Sequence, residues 1–304
     1  MSLFDYLKNI FFILIILQVA PILIESIMKQ YSRYIEQRTK VAVLPIKGVL
    51  YDSTQSSKHL HTFFKNDDIK AILIKMECPG SAAGTGQALY NEIISLKKEY
   101  PKPVIVLVEN VCASGGYNIA CAADSIISPS SAIIGSIGTA FSNLFQLKEF
   151  VNQYKIGYVS ITSGMYKTTT DPFSDLTPEQ ITMLQGVTDD AYNQFIQDVA
   201  QARKLSLNKA NEWANGKIFT GRQALTLGLI DEIGSAYNAV KKIKEKALIE
   251  GEIEWVHPPK KGGLMRLFGG ANGETDDNSM FSSMINQFCS VLENRYCSKK
   301  LVNS

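Results

Sequence analysis

The 304-residue chain has a formal net charge of +2 and 45% hydrophobic residues. That balance supplies no strong field for a polyanion, so nucleic acid is not an expected partner. The apolar content suits a folded chain of one large or two small domains and excludes a disordered one.

The N-terminus reads as a membrane segment. NIFFILIILQVAPILIESIM, residues 9 to 28, is interrupted only by Gln18, Glu25 and Ser26. A bilayer core takes about 20 residues of helix. A cleaved signal peptide is the rival reading, but the preceding MSLFDYLKN is barely basic and no small-x-small site follows. Pro21 is a place for a kink. Lys29, Arg33, Arg38 and Lys40 follow the segment. By the positive-inside rule alone they belong on the cytoplasmic side.

YSRYIEQRTK, 31 to 40, is a polar linker, and VAVLPIKGVL then opens a β-rich stretch. IKAILIKM (69 to 76) and VIVLVEN (104 to 110) are apolar runs that read as strands buried on both faces. Between them, GQALYNEIISLKKEY (86 to 100) carries Leu89, Ile93, Ile94 and Leu96 at helical spacing and is closed by Pro101 and Pro103. NIACAA is read as a short helix and DSIISP as a strand. Alternating strand and helix predicts a parallel sheet with right-handed crossovers. Neither a Rossmann glycine fingerprint nor a P-loop is present, so no cofactor is expected. The five cysteines, Cys78, Cys112, Cys121, Cys289 and Cys297, show no metal-ligand spacing. Cys289 and Cys297 lie close enough in sequence to pair in an oxidising compartment.

The second half is mostly helical. Thr177, Pro178 and Gln180 form an N-terminal capping box. Behind it Ile181, Leu184, Val187, Ala191, Phe195 and Val199 make one apolar stripe. FTGRQALTLGLIDEIGS, 219 to 235, reads as helix, turn and short strand, and YNAVKKIKEKAL as another helix. From about Gly251 the composition shifts to Pro, Gly and charge, which predicts a mobile tail ending in a short amphipathic helix at SMFSSMINQFCSVLENRY.

Chemistry concentrates in VCASGGYNIACAAD, 111 to 124, where Ser114 follows a strand and precedes a helix. Ser114 is either a helix cap or a nucleophile. The turn exposes free N–H groups at the helix start, which suits an oxyanion. One βα unit earlier MECPGSAAGTG, 76 to 86, makes a similar turn that can aim an N–H of Gly80 or Ser81 at the same cleft. The three histidines, His59, His61 and His257, lack the context of a Ser-His-Asp triad. A desolvated lysine is the other base available. Lys167 in SGMYKTTTDPF stands out only weakly among many lysines.

VCASGGYNIACAAD, SSAIIGSIGT, SGMYKTTTDPFSDLTPEQ and GKIFTGRQALTLGLIDEIGS, in that order, resemble the signal peptide peptidase A (protease IV) family of Ser-Lys proteases over residues 41 to 250. The resemblance implies an α/β, ClpP/crotonase-type fold of repeated ββα units with an N-terminal transmembrane helix. It implies Ser114 as nucleophile, Lys167 as general base, and an oxyanion hole from Gly80, Ser81 and Gly115, with no metal and no cofactor. It implies homo-oligomers in which the dyad can meet across a subunit interface, apolar extended peptides such as signal-peptide remnants as substrates, and a single-pass anchor with the catalytic domain on the extracytoplasmic side. Residues 1–40 would be anchor and linker, 41–250 the protease domain, and 251–304 the tail. The family's Asn-Ser-Pro-Gly-Gly turn is ECPGS here, with Glu77, Cys78 and Ser81 as departures. Ser81 is the one expected to restrict φ or crowd the substrate. Alternatives are an inactive membrane-bound scaffold on the same fold, an acyl-CoA enzyme, or Cys78 or Cys112 as rival nucleophile.

Overall fold

A computed structural model describes residues 3–35, 38–142 and 144–259. The helix SMFSSMINQFCSVLENRY and the pairing of Cys289 with Cys297 lie outside the described residues.

Helix α1 (Leu3–Ile35) contains the apolar segment and continues through Pro21. Its stretch Phe11–Met28 has a mean hydropathy of 2.4 and none of it is buried. Eighteen residues of helix rise about 27 Å, close to the thickness of a bilayer's hydrocarbon core. By length and composition α1 is a candidate membrane span.

After the linker the chain alternates β1 (Thr39–Lys47), α2 (Thr54–Lys65), β2 (Ile69–Cys78), α3 (Ala83–Glu99), β3 (Val104–Ala113), α4 (Gly115–Cys121) and β4 (Ser125–Ser128). β5 (Ile133–Gly135), α5 (Lys148–Gln153), α6 (Pro178–Arg203), α7 (Ala210–Trp213), β6 (Ile218–Thr220), α8 (Gly221–Thr226), β7 (Glu232–Ile233), α9 (Ala236–Lys246) and β8 (Ile253–Val256) follow. The strands form one sheet in the order β6-β5-β3-β2-β1-β8, with β4 between β3 and β7 off that path. Every pairing is parallel except β5 with β6. The α/β class read from the sequence is the class observed.

The apolar runs are buried because helices cover both faces. Ala42, Leu44, Ile46, Ile72, Ile74, Val104 and Val106 pack under α2, α3 and α4, while Val41, Ala71, Leu73, Ile105 and Leu107 pack with Ala239 and Ile243 of α9. Alternate residues of one strand thus serve opposite cores, as the two-residue period requires.

β3 has two partners in succession. Ile105 to Leu107 pair with β4, and Val111 to Ala113 pair with β5. The sheet forks along this strand, and its second half ends at Ser114.

Three elements differ from the sequence reading. The stretch around His59 and His61, given no element in the sequence reading, forms α2, whose Leu60, Phe63 and Phe64 are buried while His61 stays exposed. The α6 stripe is only partly covered: Val199 is fully buried, but Ile181 and Val187 are 53% and 56% exposed. The shift in composition at Gly251 does not end the sheet, since β8 pairs with β1 from Thr39↔Ile253 to Ala42↔Val256.

Candidate active site

Ser114 is held in an unusual backbone conformation, φ 51° and ψ −130°. A non-glycine residue reaches positive φ only when its surroundings over-determine it. Here they do. The Ser114 N–H donates to the Gly135 carbonyl at 2.8 Å, and its own carbonyl accepts from Tyr117 N–H at 2.9 Å and Asn118 N–H at 3.0 Å. α4 is anchored in turn by Tyr117, fully buried, whose hydroxyl donates to the Leu229 carbonyl at 2.7 Å.

The Ser114 side chain makes no cap hydrogen bond to α4. The backbone carbonyl already begins the helix, so the capping function does not account for the hydroxyl. Instead Ser114 lines a cavity of about 740 Å³. Gly80, Ser81 and Gly115 line the same cavity. The fold therefore brings together four of the five expected site residues. A Cβ built on Gly80 would lie 3.7 Å from Ser114 Oγ, which sets the Pro79-Gly80 turn in contact with the serine.

The amides at this corner are free. Leu50 bridges the turn by donating its N–H to the Gly80 carbonyl and accepting from Ala82 N–H, both at 3.0 Å. Along an extended segment successive N–H groups point to opposite sides. The Ser81 N–H therefore faces away from Leu50, toward Gly115. Gly115 is the first residue of α4 and has no acceptor within its helix. Among the described residues, neither Gly80 N–H nor Ser81 N–H has an acceptor. Such a set of donors beside a serine hydroxyl is suited to an oxyanion.

Ser136 escaped the sequence reading. It stands at φ 50°, the second left-handed non-glycine residue on the cavity wall. Its N–H donates to the Lys217 carbonyl at 2.7 Å, and Gly216 N–H donates to the Ile137 carbonyl at 2.9 Å, so the two residues leading into β6 pin this rim. The signal available was its place in GSIG, directly after β5, whose Gly135 carbonyl holds the Ser114 amide.

The rival nucleophiles lose on burial. Cys78 and Cys112 are fully buried. Burial pushes the Cys78 thiol up and the Cys112 thiol well up, away from the reactive thiolate. Their positions are explained by packing: a Cβ on Gly116 would meet Cys78 Sγ at 2.9 Å. Glu77, the other departure in ECPGS, accepts from Asn110 Nδ2 at 2.8 Å and lies 3.4 Å from Lys47 Nζ, within a surface network. His61 pairs with Glu92 at 2.7 Å on the outer face of α2 and α3.

Lys167 is the residue the single chain does not bring to the cavity. It is exposed and does not line that wall. Its turn is tied to the start of α6, where the Gln180 carboxamide donates to the Met165 carbonyl at 3.4 Å. Gln180 also completes the expected capping box: the Thr177 hydroxyl accepts its N–H at 3.3 Å, and Gln180 Oε1 accepts the Thr177 N–H at 3.0 Å. Along α6 the first residue to line the cavity is Ala191. At 1.5 Å per residue that is roughly 16 Å of helix beyond Gln180.

The segment that carries Lys167 is a self-bonded excursion. Lys148 pairs with Asp175, the rings of Tyr158 and Phe173 lie 4.8 Å apart, and Leu147 N–H donates to the Pro172 carbonyl at 2.6 Å. Hydrogen bonds from Ser174 Oγ and Phe173 N–H hold the Asp171 carboxyl below its usual range. Yet its outer surface is apolar: Val159 is 84% exposed and Ile161 95%, with Phe145, Phe150 and Met165 also open.

Residues 96–250 match peptidase family S49. A relative from Synechocystis sp. is 33% identical over 240 residues, covering 77% of this chain and 84% of its own. The chain belongs to peptidase family S49. A relative from Methanocaldococcus jannaschii is 34% identical over 207 residues, covering 67% of this chain and 64% of its own. Both carry protease as a provisional name. Protease 4 of Haemophilus influenzae is 30% identical over 234 residues, but these are 71% of this chain and only 37% of that protein. The enzyme class that goes with S49 membership is peptide hydrolysis. The S49 match begins within α3 and takes in Ser114, Gly115, Ser136 and Lys167, while the ECPGS turn precedes it.

Proposed function

We propose that this S49 chain is a membrane-anchored serine endopeptidase in which Ser114 is the nucleophile and Lys167 of the partner subunit is the general base. The observation that carries the first half is the Ser114 backbone, at positive φ with its hydroxyl unused as a cap and turned to a cavity edged by free amides. The second half follows from the distance along α6 and from the exposed apolar surface around Lys167. A second copy that covers Val159 and Ile161 would carry Lys167 to a neighbour's cavity. Burial disfavours an ammonium relative to an amine, so a lysine covered in this way suits the role of base.

Ser114 Oγ attacks the peptide carbonyl carbon while its proton passes to Nζ of Lys167. The oxyanion accepts hydrogen bonds from the amides of the Gly80-Ser81 turn and of Gly115. The C–N bond breaks as Nζ returns the proton to the leaving amine. Water then attacks the acyl ester, its proton going by way of Nζ to Ser114 Oγ. Substrates are extended, apolar peptides such as signal-peptide remnants, which agrees with the apolar share of the cavity wall: Val49, Tyr51, Ala82, Ala191 and Phe195. α1 spans the membrane once; the extracytoplasmic placement of the catalytic domain comes from the family resemblance and runs against the positive charges that follow α1 at Lys29, Arg33, Arg38 and Lys40.

A fluorophosphonate probe on the full chain in detergent tests the reading. Labelling at Ser114 that is lost in Ser114→Ala is the expected result; an unlabelled wild-type chain overturns it. Labelling of single cysteines in intact cells reports the side of the membrane.

A further inference from the structure

The Ser81 side chain, expected to restrict φ or crowd the substrate, also has a contact of its own. A Cβ built on Gly115 would lie 1.9 Å from Ser81 Oγ, and one built on Gly86 would lie 2.5 Å from it. Real Cβ atoms do not approach so closely, so the hydroxymethyl group rests against the bare Cα of both glycines. Gly86 is in the first turn of α3 and Gly115 opens α4. The two helices that follow the two βα turns meet at their starts, where the Gly86 Cβ position also lies 3.2 Å from the Gly115 carbonyl oxygen, with the Ser81 side chain seated against both glycines. The hydroxyl is locked there by donating to the Ala82 carbonyl at 2.9 Å. Ser81 is not among the left-handed residues, so its Cβ costs no backbone strain.

The wedge bears on the amides. The same Cβ position on Gly115 lies 2.9 Å from Ser81 N, so amide and side chain of Ser81 meet one face of Gly115. Leu50 holds Gly80 and Ala82 from behind. The turn is thus clamped between a strap on one side and a spacer on the other.

We propose that the Ser81 side chain is a positioning residue, a spacer between Gly86 and Gly115 that sets the separation of the Ser81 and Gly115 amides beside Ser114. The inference rests on the serine-peptidase reading above and adds to it a role for a side chain in which only a backbone donor was expected. Oxyanion donors act through placement, and a small displacement of one is costly. The spacer also explains why both neighbours are glycine at ordinary φ: the volume at the contact is fixed, and Ser81 holds it.

A reciprocal swap in the full chain tests this. Ser81→Gly empties the contact, and kcat for peptide cleavage is expected to fall about 10-fold with KM within about twofold. Gly86→Ala alone drives Oγ out of its seat into the cleft, so KM is expected to rise. The double variant Ser81→Gly/Gly86→Ala puts a methyl group back from the other side, and kcat is expected to recover to within about threefold of wild type. Ser81→Ala, which keeps Cβ, is expected to fall between wild type and Ser81→Gly, and it replaces Ser81→Gly if that variant does not fold. An unchanged kcat in Ser81→Gly, or a double variant no faster than Ser81→Gly, overturns the spacer while Ser114 labelling in the wild type leaves the peptidase reading intact. Absence of that labelling overturns both.

Discussion

The turn at Ser114 and the turn at Lys167 carry the two halves of one proposed reaction, and they are built in opposite ways. Ser114 stands where a core strand, a buried helix and the β5 edge meet, with its N–H and carbonyl both engaged. Lys167 stands in a stretch without strands, braced by local hydrogen bonds and the α6 cap, with apolar side chains facing outward. The first turn is complete in one chain. The second has its internal order but not its setting. A strained nucleophile needs a rigid frame that the domain core supplies, whereas a base delivered by a neighbour needs an exposed apolar mount that stays uncovered until chains meet.

The sharpest way to break that contrast is to separate the halves. Ser114→Ala and Lys167→Ala are each expected to lower cleavage by about 1,000-fold or more. Co-assembling the two inactive variants should restore part of the activity, because a Lys167→Ala chain still offers Ser114 to a neighbour with an intact lysine. Assay of mixed against separate variants decides it, and no recovery on mixing would place both groups in one chain. Next in size, Val159→Asp or Ile161→Asp should dissociate the assembly on size exclusion and lower activity about 10- to 100-fold. The melting temperature of the domain should barely move, since neither side chain is buried in the chain itself.

On the other side of the comparison, Tyr117→Phe attacks the frame. It leaves the Leu229 carbonyl without its buried donor, at a cost of about 1–3 kcal/mol. Thermal unfolding should show the loss directly. The smallest effect concerns Asp198, on α6 behind Asn118. Burial raises its carboxyl pKa, only partly offset by the hydrogen bond from Asn118 Nδ2. A raised carboxyl contributes its stability in the protonated form, fully below its unfolded value, and loses it as pH rises through the folded value. At pH 7 the ionised form is therefore a cost. Asp198→Asn should raise the melting temperature by about 1–2 °C at pH 7, with the gap closing toward pH 4.

Much of the frame was legible in the chain. Apolar runs of strand length bounded by turn residues read as strands covered on both faces, and Thr177 with Gln180 announced the start of α6. α2 was missed although Leu60, Phe63 and Phe64 stand at i, i+3 and i+4, because the rest of the Thr54–Lys65 stretch is polar and offers only that one short apolar cluster. The sheet's last strand was missed because four residues after a change in composition carry no pattern until β1 lies beside them. The α6 stripe was legible as a stripe, but not that its first half is open, because spacing reports which side chains share a face and not whether anything covers that face.

At the site the division is the same. The sequence alone showed that Ser114 and the Gly80-Ser81 turn each follow a strand, and βα turns of one parallel sheet open at the same edge; that the two strands are neighbours is a finding of the structure. The sequence also showed that no histidine had the context of a base. Whether the Ser114 hydroxyl capped α4, what the Ser81 side chain touches, and whether Lys167 lines the Ser114 cavity within one chain were decided only in three dimensions. Each depends on contacts between residues far apart in the chain: Gly135 fixing the Ser114 amide, Gly115 receiving the Ser81 hydroxymethyl, and α6 holding the Lys167 turn away from the cavity. Local pattern fixes what a residue type can do, and packing fixes what stands within its reach.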